Sequence, residues 1–371
     1  MADRKLTITV IGASRGGIHV AGHLGPNRAK LRMHDRDEAR LTELRAKGGI
    51  QRDGEGGGFV ELEKVTANLA EAVEGADIIV VCTGGVPQEG LARDLAPLLR
   101  DGQLILLIQG NTGGAIVVRR ALDAAGCRVA VDVAEMDNYP HSGPMFSPSH
   151  IGHKISKKGL RIATFPGNRI DAVFPRLGPL FPTAVAAPNI VHTSLMNANA
   201  MLHVANCIAN ASNIDRGVAY KFYAEGVTPM VARVYEAINA ERVAVAAAFG
   251  VTVPDLAGWW ERSYGVREKT LPETAIRLTT DENAPYRTSP TPKSFDDQFI
   301  SEDVPTGLIP ISALGDAAGV ATPAIDALIE LSKHMSGTNF ADSARTLERM
   351  GLAGKDISAI KRILESGFSQ A

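Results

Sequence analysis

Cysteine is scarce in this sequence, and long apolar runs are missing. The three cysteines are odd in number and lack the spacing of a metal site, which favours free thiols, a reducing compartment and a cytoplasmic location. They are Cys82, Cys127 and Cys207. The longest apolar stretches are interrupted within about ten residues, whereas a membrane span needs about 20. The polar N-terminus does not resemble a secretion signal. We therefore expect neither a secreted disulfide-rich protein nor a membrane protein.

The sequence also has no large excess of positive or negative charge, since 39 Lys and Arg residues are matched by 41 Asp and Glu. No basic block follows the pattern that tracks a phosphate backbone, so nucleic acid is not an expected partner. Internal repeats and low-complexity segments are missing as well. The length of 371 residues exceeds the usual size of one domain, about 100 to 200 residues, and predicts two globular domains.

The first half of the chain alternates short apolar runs with helix-like segments. The runs are typical of strands buried on both faces, as in a parallel sheet. They cover residues 6–11, 31–33, 78–82, 104–108 and 129–133. The glycine-rich stretch 54–58 predicts a hairpin tip. This alternation indicates an α/β domain with a doubly wound parallel sheet over residues 1–186.

The second half reads mainly as helices and predicts an all-α domain over residues 187–371. Its clearest helix begins at Thr228-Pro229, a cap followed by a proline, and ends at Gly250. A core-facing stripe is predicted on this helix. It comprises Val231, Val234, Tyr235, Ile238, Val245 and Phe249. Shorter helices are predicted over 254–261, 314–318 and 323–334, and a long loop over 279–306.

The turn after the first strand reads Gly12-Ala13-Ser14-Arg15-Gly16-Gly17 and opens a helix. In a Rossmann-type fold, three small residues at this turn permit the tight bend, the approach of a pyrophosphate and close helix packing. These positions fall on Gly12, Ser14 and Gly17, and Ser14 departs from the usual glycine. Arg15 is a further cofactor candidate. An ordinary glycine-rich turn remains the alternative.

An acidic residue follows the second strand. Asp35 lies 18 residues after Gly17, near the position where a carboxylate accepts hydrogen bonds from the adenosine ribose. This favours NAD, but the adjacent Arg36 could bind the 2′-phosphate of NADP, so both cofactors stay open. A pair of helix-start charges is the other interpretation. Thr83 and Asn111 lie in glycine-rich loops after later strands and are candidate cofactor contacts, unless these loops are plain turns.

A dehydrogenase needs a residue that exchanges a proton, and histidine is the commonest choice. His19 and His23 lie four residues apart, but no third ligand is evident, so no metal site is predicted. His203 stands alone on an otherwise apolar helix. From the residues alone, it is either a buried core histidine, which is more frequent, or an acid/base catalyst.

Three groups of short strings in the second half resemble the octopine/nopaline (opine) dehydrogenase family in their order and spacing. They are residues 197–210, then Phe222-Tyr223-Ala224-Glu225-Gly226-Val227-Thr228-Pro229 with Glu241-Arg242, and finally residues 302–311 with Thr322-Pro323-Ala324-Ile325-Asp326. The resemblance covers nearly the whole chain. It implies condensation of an amino acid or amine with a 2-oxo acid, and reduction of the imine by NADH or NADPH.

The resemblance also implies roles for individual residues. His203 matches the catalytic histidine of the family, and Asp303 matches the acid that orients it. Asn199 is a candidate substrate contact. Many family members carry an arginine five residues before this aspartate, where this chain has Gln298. Either another cation such as Arg287 or Lys293 binds the substrate carboxylate, or the substrate lacks one.

Two other functions remain open. One is a simple 2-oxo acid or ketone reductase of the ketopantoate reductase type, which would use a lysine such as Lys221. The other is a nicotinamide-binding protein without catalysis, for which a His203–Asp303 pair would have no use. A homodimer is compatible with the sequence.

Overall fold

The computed structural model describes residues 5–24, 29–54, 56–152, 155–282, 284–287, 289 and 291–368. The chain divides into two compact units. The first unit comprises Met1–Gly110 and Gly114–Pro188, and the second comprises Asn111–Gly113 and Asn189–Ala371. Residues 111–113 therefore cluster with the second unit, although they precede a helix of the first in sequence.

An eight-stranded sheet forms the centre of the first unit. Its strands are β1 (Leu6–Ile11), β2 (Ala29–His34), β5 (Lys64–Thr66), β6 (Ile78–Val81), β7 (Leu104–Ile108), β8 (Asp132–Met136), β13 (Leu160–Phe165) and β14 (Ala184–Ala186). The order across the sheet is β14-β13-β8-β7-β6-β1-β2-β5. Six neighbouring strands of this sheet run parallel to one another, namely β8, β7, β6, β1, β2 and β5. The next strand, β13, runs antiparallel to β8.

The central strands are buried on both faces, as their uninterrupted apolar sequences predict. Every residue of β6 and β7 is buried. One predicted strand was wrong in its bounds, because residues 129–133 were expected where β8 covers Asp132–Met136. Pairing sets these bounds, since Leu104 at the start of β7 lies opposite Asp132.

Six helices and several short strands complete the first unit. The helices are α1 (Arg15–His23), α2 (Glu38–Lys47), α3 (Leu69–Val73), α4 (Gln88–Leu95), α5 (Gly114–Ala124) and α6 (Ile170–Leu177), with a 3-10 turn at Gly167–Arg169. The short strands are β3 (Gly49–Arg52), β4 (Gly58–Glu61), β9 (His141–Ser142), β10 (Met145–Ser147), β11 (His150–Ile151) and β12 (Ile155–Ser156). β3 and β4 pair antiparallel, which confirms the hairpin predicted around residues 54–58.

The second unit consists of helices. They are α7 (Ile190–Ser194), α8 (Asn199–Ala209), α9 (Ala211–Asp215), α10 (Pro229–Ala248), α11 (Leu256–Tyr264), α12 (Leu271–Thr280), α13 (Gln298–Ser301), α14 (Ile309–Ala318), α15 (Pro323–Ser336), α16 (Leu347–Met350) and α17 (Ile357–Ser366), with a π-helical segment at Val304–Leu308. The expectation of a loop over 279–306 was wrong at its end, where α13 and the π-helical segment begin. Within the described ranges, no helix is long and apolar enough to cross a bilayer.

The longest helix, α10, follows its sequence closely. The Thr228 side chain accepts a hydrogen bond from the Val231 amide and caps the helix, and Pro229 is its first residue. Tyr235 and Ile238 are fully buried, in agreement with the predicted stripe. Val234 was assigned to that stripe incorrectly, because its side chain is 38% exposed. Three-residue spacing does not separate a stripe residue from its neighbour at the edge of the helix face.

The side chain of Glu241 connects two of the sequence segments that carry the family resemblance. Its two carboxylate oxygens accept hydrogen bonds from the Ala324 and Ile325 amides, at 2.8 and 2.9 Å, and so cap α15. The neighbouring Arg242 is fully buried and donates to the Asn239 side chain and the Pro254 carbonyl. Burial lowers the pKa of Arg242 to about 10. The charged pair at 241–242 is therefore structural.

His19 on α1 packs inside the first unit. Its side chain is 1% exposed, and Nε2 lies 3.1 Å from the Gly143 carbonyl, to which it donates. Burial, with a smaller contribution from the charge of Arg15, lowers the pKa of His19 to about 4. The unfolded chain therefore takes up a proton near pH 6.5, while the folded protein does not.

This difference predicts a loss of stability in acid. As the pH falls from 6.5 towards 4, the unfolded state binds more protons, so folding weakens by roughly 2 kcal/mol between pH 7 and pH 5. The variant His19→Gln keeps a donor for Gly143 and removes the titration. Urea unfolding at both pH values should show that the variant loses about 2 kcal/mol less than the wild type. The exposed His334→Gln serves as control, and equal acid sensitivity in all three proteins would contradict the prediction.

Candidate active site

His203 and Asp303 meet in the second unit, although 100 residues separate them in sequence. His203 lies on α8, and Asp303 lies directly before the π-helical segment. The Nδ1 atom of His203 lies 2.6 Å from Oδ2 of Asp303, and the two side chains are 13% and 9% exposed. Because a carboxylate accepts hydrogen bonds, it holds the proton of the neutral ring on Nδ1. Nε2 is then the nitrogen that can exchange a proton.

Aromatic side chains hold the imidazole ring in place. Phe299 of α13 stacks on His203 with ring centroids 4.0 Å apart and an interplanar angle of 19°. Nε2 of His203 lies 3.0 Å from the Tyr223 hydroxyl. Burial is the main reason that the pKa of Tyr223 is raised well above 10. The phenol is therefore neutral near neutral pH and can both donate and accept a hydrogen bond.

The turn that carries Tyr223 is bound to the same helix as His203. Asn206, one turn after His203 on α8, donates through Nδ2 to the Phe222 carbonyl at 2.7 Å. Asn210 donates to the Gly226 carbonyl at the end of the turn, at 3.1 Å. A Cβ at Gly226 would lie 2.2 Å from the Phe222 carbonyl oxygen, so only glycine fits this turn. α8 thus positions both His203 and its tyrosine partner.

Asn111 lies in the same polar cluster of the second unit. Its backbone is left-handed, with φ of 56°, a conformation that asparagine tolerates better than most residues. Its side chain donates to Thr306 Oγ1 at 2.8 Å and accepts from Asn197 Nδ2 at 3.1 Å. Asn111, Asn197 and Asp303 contribute to the lining of a small cavity of about 10 Å³. A cavity of this size holds about one water molecule.

The turn after β1 has the shape that a dinucleotide requires. Gly12 has φ of 106°, and a Cβ at Gly17 would lie only 1.8 Å from the Gly12 carbonyl oxygen. The Ser14 side chain accepts from the Gly17 amide and caps α1. The turn therefore brings the N-terminus of α1 close to the end of β1, the position at which a pyrophosphate is favoured.

Asp35 joins this turn to the end of β2. Its Oδ2 accepts from the Ala13 amide at 2.7 Å, its Oδ1 accepts from the Asp37 amide at 2.9 Å, and the residue is 7% exposed. Oδ2 also pairs with the guanidinium of Arg40 at 3.5 Å, and the second lone pair of Oδ1 can still accept a hydrogen bond from a ribose hydroxyl. The residues of the turn and Asp35 together fit a dinucleotide.

Comparison with known proteins agrees with this geometry. An opine dehydrogenase from Arthrobacter sp. (strain 1C) is 32% identical over 360 residues, which cover 97% of this chain and 99% of that protein. The chain belongs to the opine dehydrogenase family. Residues 186–336 match the NAD/NADP octopine/nopaline dehydrogenase alpha-helical domain, and residues 8–135 match ketopantoate reductase PanE/ApbA. The family resemblance inferred from the sequence is confirmed.

Solved structures of other opine dehydrogenases share the fold. Octopine dehydrogenase with NADH and L-arginine has a TM-score of 0.74 at 20% identity, covering 96% of this chain and 98% of that chain. Yersinopine dehydrogenase with NADP⁺ has a TM-score of 0.72 at 15% identity and covers 100% of both chains. The expected Rossmann-type domain followed by a helical domain is confirmed. The enzyme is an NAD(P)-dependent oxidoreductase acting on CH–NH groups, in line with the opine dehydrogenase family.

The remaining candidate cofactor residues of this opine dehydrogenase family member lie at or near the ends of β1, β2 and β6. Arg15 is exposed, and its guanidinium donates to the Gly143 carbonyl at 2.7 and 3.0 Å. Arg36 is exposed at the end of β2, and Thr83 is half-buried after β6. Asn111, also a candidate cofactor contact, lies beside Asn197 and Thr306 of the second unit, and its role towards the cofactor stays a prediction.

The candidate substrate residues occupy different places in the second unit. Asn199 is four residues before His203 and so shares its face of α8. Gln298 begins α13 beside Phe299 and is exposed. Arg287 is exposed, and its guanidinium lies 3.4 Å from the Asp281 carbonyl. Lys221, the lysine of the reductase alternative, is exposed as well.

Some residues of the site were missed by sequence reasoning. Tyr223 belongs to a family-like string, but nothing in the string shows that its hydroxyl reaches His203. Phe299 is not part of any motif recognised in the sequence. Arg345 is 3% exposed and donates to the Thr112 carbonyl at 3.0 Å, far from any quoted string. Among the residues that the structure describes, no three His, Cys, Asp or Glu side chains could hold a metal ion together.

Proposed function

We propose that this opine dehydrogenase family member condenses an amino acid or amine with a 2-oxo acid at His203, and catalyses the reverse oxidation. The observation that supports this most directly is the 2.6 Å contact between His203 and Asp303 in the second unit. A buried carboxylate behind an imidazole orients the ring and stabilises its protonated form, as acid/base catalysis requires. A protein that only binds nicotinamide has no need for this arrangement.

His203 supplies the proton that the condensation consumes. The overall balance is one ammonium group, one oxo acid, one NADH and one proton, giving a protonated secondary amine, NAD⁺ and water. His203 in its protonated form assists departure of the oxo oxygen as water, and Asp303 compensates the positive charge on the ring. In the oxidative direction the neutral ring takes the proton back. Asn199, on the same helix face, is our candidate for a substrate contact.

We further propose NAD as the preferred cofactor. When bound, NADH supplies the hydride that reduces the imine carbon. The backbone at Gly12, Ser14 and Gly17 would hold the pyrophosphate at the N-terminus of α1. The Asp35 carboxylate would accept the ribose hydroxyls and repel a 2′-phosphate, and the exposed Arg36 opposes that preference.

Binding of the substrate carboxylate is the point at which this chain departs from the family. Gln298 replaces the arginine often found in relatives, and a neutral amide cannot neutralise a carboxylate. We propose that another cation, with Arg287 as the first candidate, replaces it when the oxo acid or amino acid carries a carboxylate there. The alternative is a partner that lacks this carboxylate, such as an amine.

The test is a matrix of substrates with purified enzyme. NADH and NADPH oxidation is followed by absorbance while pyruvate and 2-oxoglutarate are paired with a panel of amino acids and amines. Oxidation only when both partners are present supports reductive coupling, and the active pairs identify the substrates. Oxidation with the oxo acid alone would instead favour the simple reductase. No oxidation with any pair, despite NADH binding, would favour a protein that has lost catalysis.

The cofactor preference is tested by Asp35→Asn. This substitution keeps the size of the side chain and removes its charge, so it weakens the ribose hydrogen bonds and the repulsion of a 2′-phosphate. We expect the ratio of kcat/KM for NADH to that for NADPH to fall about tenfold. Asp37→Asn, at the exposed cap of α2, is the matched control. A ratio that stays constant in Asp35→Asn would show that Asp35 does not select the cofactor.

A further inference from the structure

Both nitrogens of the His203 ring have protein partners. Nδ1 contacts Asp303 at 2.6 Å, and Nε2 contacts the Tyr223 hydroxyl at 3.0 Å. An imidazole has no third nitrogen, and Phe299 stacked on its face opposes rotation of the ring. In this arrangement, the tyrosine oxygen is placed to accept a proton that leaves Nε2.

Tyr223 is itself held in a fixed orientation. Its ring stacks on Tyr286, with centroids 4.1 Å apart and an interplanar angle of 20°. The Tyr286 hydroxyl accepts from Trp260 Nε1 at 3.1 Å, and it is hydrogen-bonded to Tyr264. Tyr223 is 3% exposed. A rigid, dry surrounding keeps a transferred proton from exchanging with bulk water.

We propose that the Tyr223 hydroxyl transfers the proton between His203 and the substrate, an inference that rests on the proposed function. During condensation, the Nε2–H bond of the imidazolium breaks and a new phenol O–H bond forms. The original phenol O–H bond breaks at the same time, and its proton goes to the substrate oxygen that leaves as water. The phenol is neutral before and after the step, and in oxidation both transfers reverse.

The chemistry of the phenol supports this concerted exchange. A hydroxyl carries one donor and two acceptor lone pairs on a single atom, so it can receive one proton while releasing another. Burial disfavours a phenolate, as the raised pKa of Tyr223 indicates. Stepwise transfer through a charged tyrosine is therefore unfavourable. Tyr223 acts as a relay only if it accepts a proton from His203 and donates its own proton to the substrate at the same time.

The variant Tyr223→Phe removes only the hydroxyl. We expect kcat to fall about 30-fold in both directions, less than the usual range for loss of an acid/base because His203 remains and can transfer its proton directly to the substrate over a longer distance. NADH affinity should stay within about threefold. Tyr235→Phe is the matched control, because its hydroxyl is equally buried but donates to the Leu202 carbonyl. Its kcat should stay within about threefold of the wild type.

The solvent isotope effect separates a relay from a structural role. With two protons in motion, the dependence of kcat/KM on the deuterium fraction should be curved in the wild type and linear in Tyr223→Phe. Unchanged kcat or unchanged curvature in the variant would overturn the proposal and indicate direct transfer from His203. If His203→Ala also retains full activity, the proposed function of His203 fails instead.

A measurement without turnover tests the same hydrogen bond. In substrate-free enzyme labelled with [¹⁵N]histidine, the Nε2 resonance of His203 is identified by its loss in His203→Ala. It should shift in Tyr223→Phe and stay in place in Tyr235→Phe. A resonance that does not respond to Tyr223→Phe would overturn the relay even if no active substrate pair were found.

Discussion

Replacing His203 by alanine is expected to lower turnover by about 10³-fold while NADH affinity remains nearly intact. General acid/base groups contribute roughly 10² to 10⁴ in rate, and His203 has the buried carboxylate partner that such a group needs. The residues proposed to bind the dinucleotide, Gly12, Gly17 and Asp35, belong to the first unit, whereas His203 belongs to the second. Steady-state kinetics with the active substrate pair and NADH fluorescence titration measure the two effects separately.

The competing interpretation of His203 is a core histidine. In that case, the alanine variant would lose stability and cofactor binding together with activity, because a buried ring leaves a cavity. The midpoint of urea unfolding is therefore measured on the same samples. His334→Ala, on the exposed side of α15, controls for the loss of a histidine as such. A stable variant with full turnover would remove His203 from the mechanism.

Asp303→Asn is expected to reduce kcat by about 10³-fold with little change in overall structure. The asparagine amide can donate to Nδ1, which would place the proton of the neutral ring on Nε2, the wrong nitrogen for proton uptake. It also withdraws the negative charge that stabilises the imidazolium. The substitution preserves side-chain volume beside the small cavity, so unfolding free energy should change little.

The Asp303 prediction is separable from a general charge effect. Asp316→Asn removes a carboxylate from the exposed side of α14 and should leave kcat within about threefold. Turnover is compared in both directions, because a misplaced proton impairs condensation and oxidation alike. A loss confined to KM would indicate that Asp303 binds substrate and does not orient His203.

Much of the fold follows from local sequence. β1 and β7 have the bounds that their apolar runs predict, and Thr228 caps α10 as expected. The tight glycine turn after β1 was also predictable from the sequence, because the need for glycine there comes from backbone contacts of Gly12 and Gly17. The bounds of β8 were less predictable, since pairing with β7 selects them.

The site was only partly accessible to the same reasoning. Without the family resemblance, the sequence left His203 open between a core histidine and an acid/base catalyst, and it did not single out Asp303. The resemblance linked the two, but it did not reveal Tyr223 or Phe299 at the ring. The position of Asn111 after a strand did not reveal that its side chain is hydrogen-bonded to Asn197 and Thr306.

Periodicity, caps and glycine turns thus establish the two-part α/β and helical organisation, because each depends on neighbours within one or two turns of the chain. The proposed proton-transfer group depends on contacts across 20 and 100 residues, from His203 to Tyr223 and to Asp303. Such contacts form only when α8, the turn after α9 and the segment before α14 pack together. Tertiary packing therefore decides which donors and acceptors face the reacting histidine.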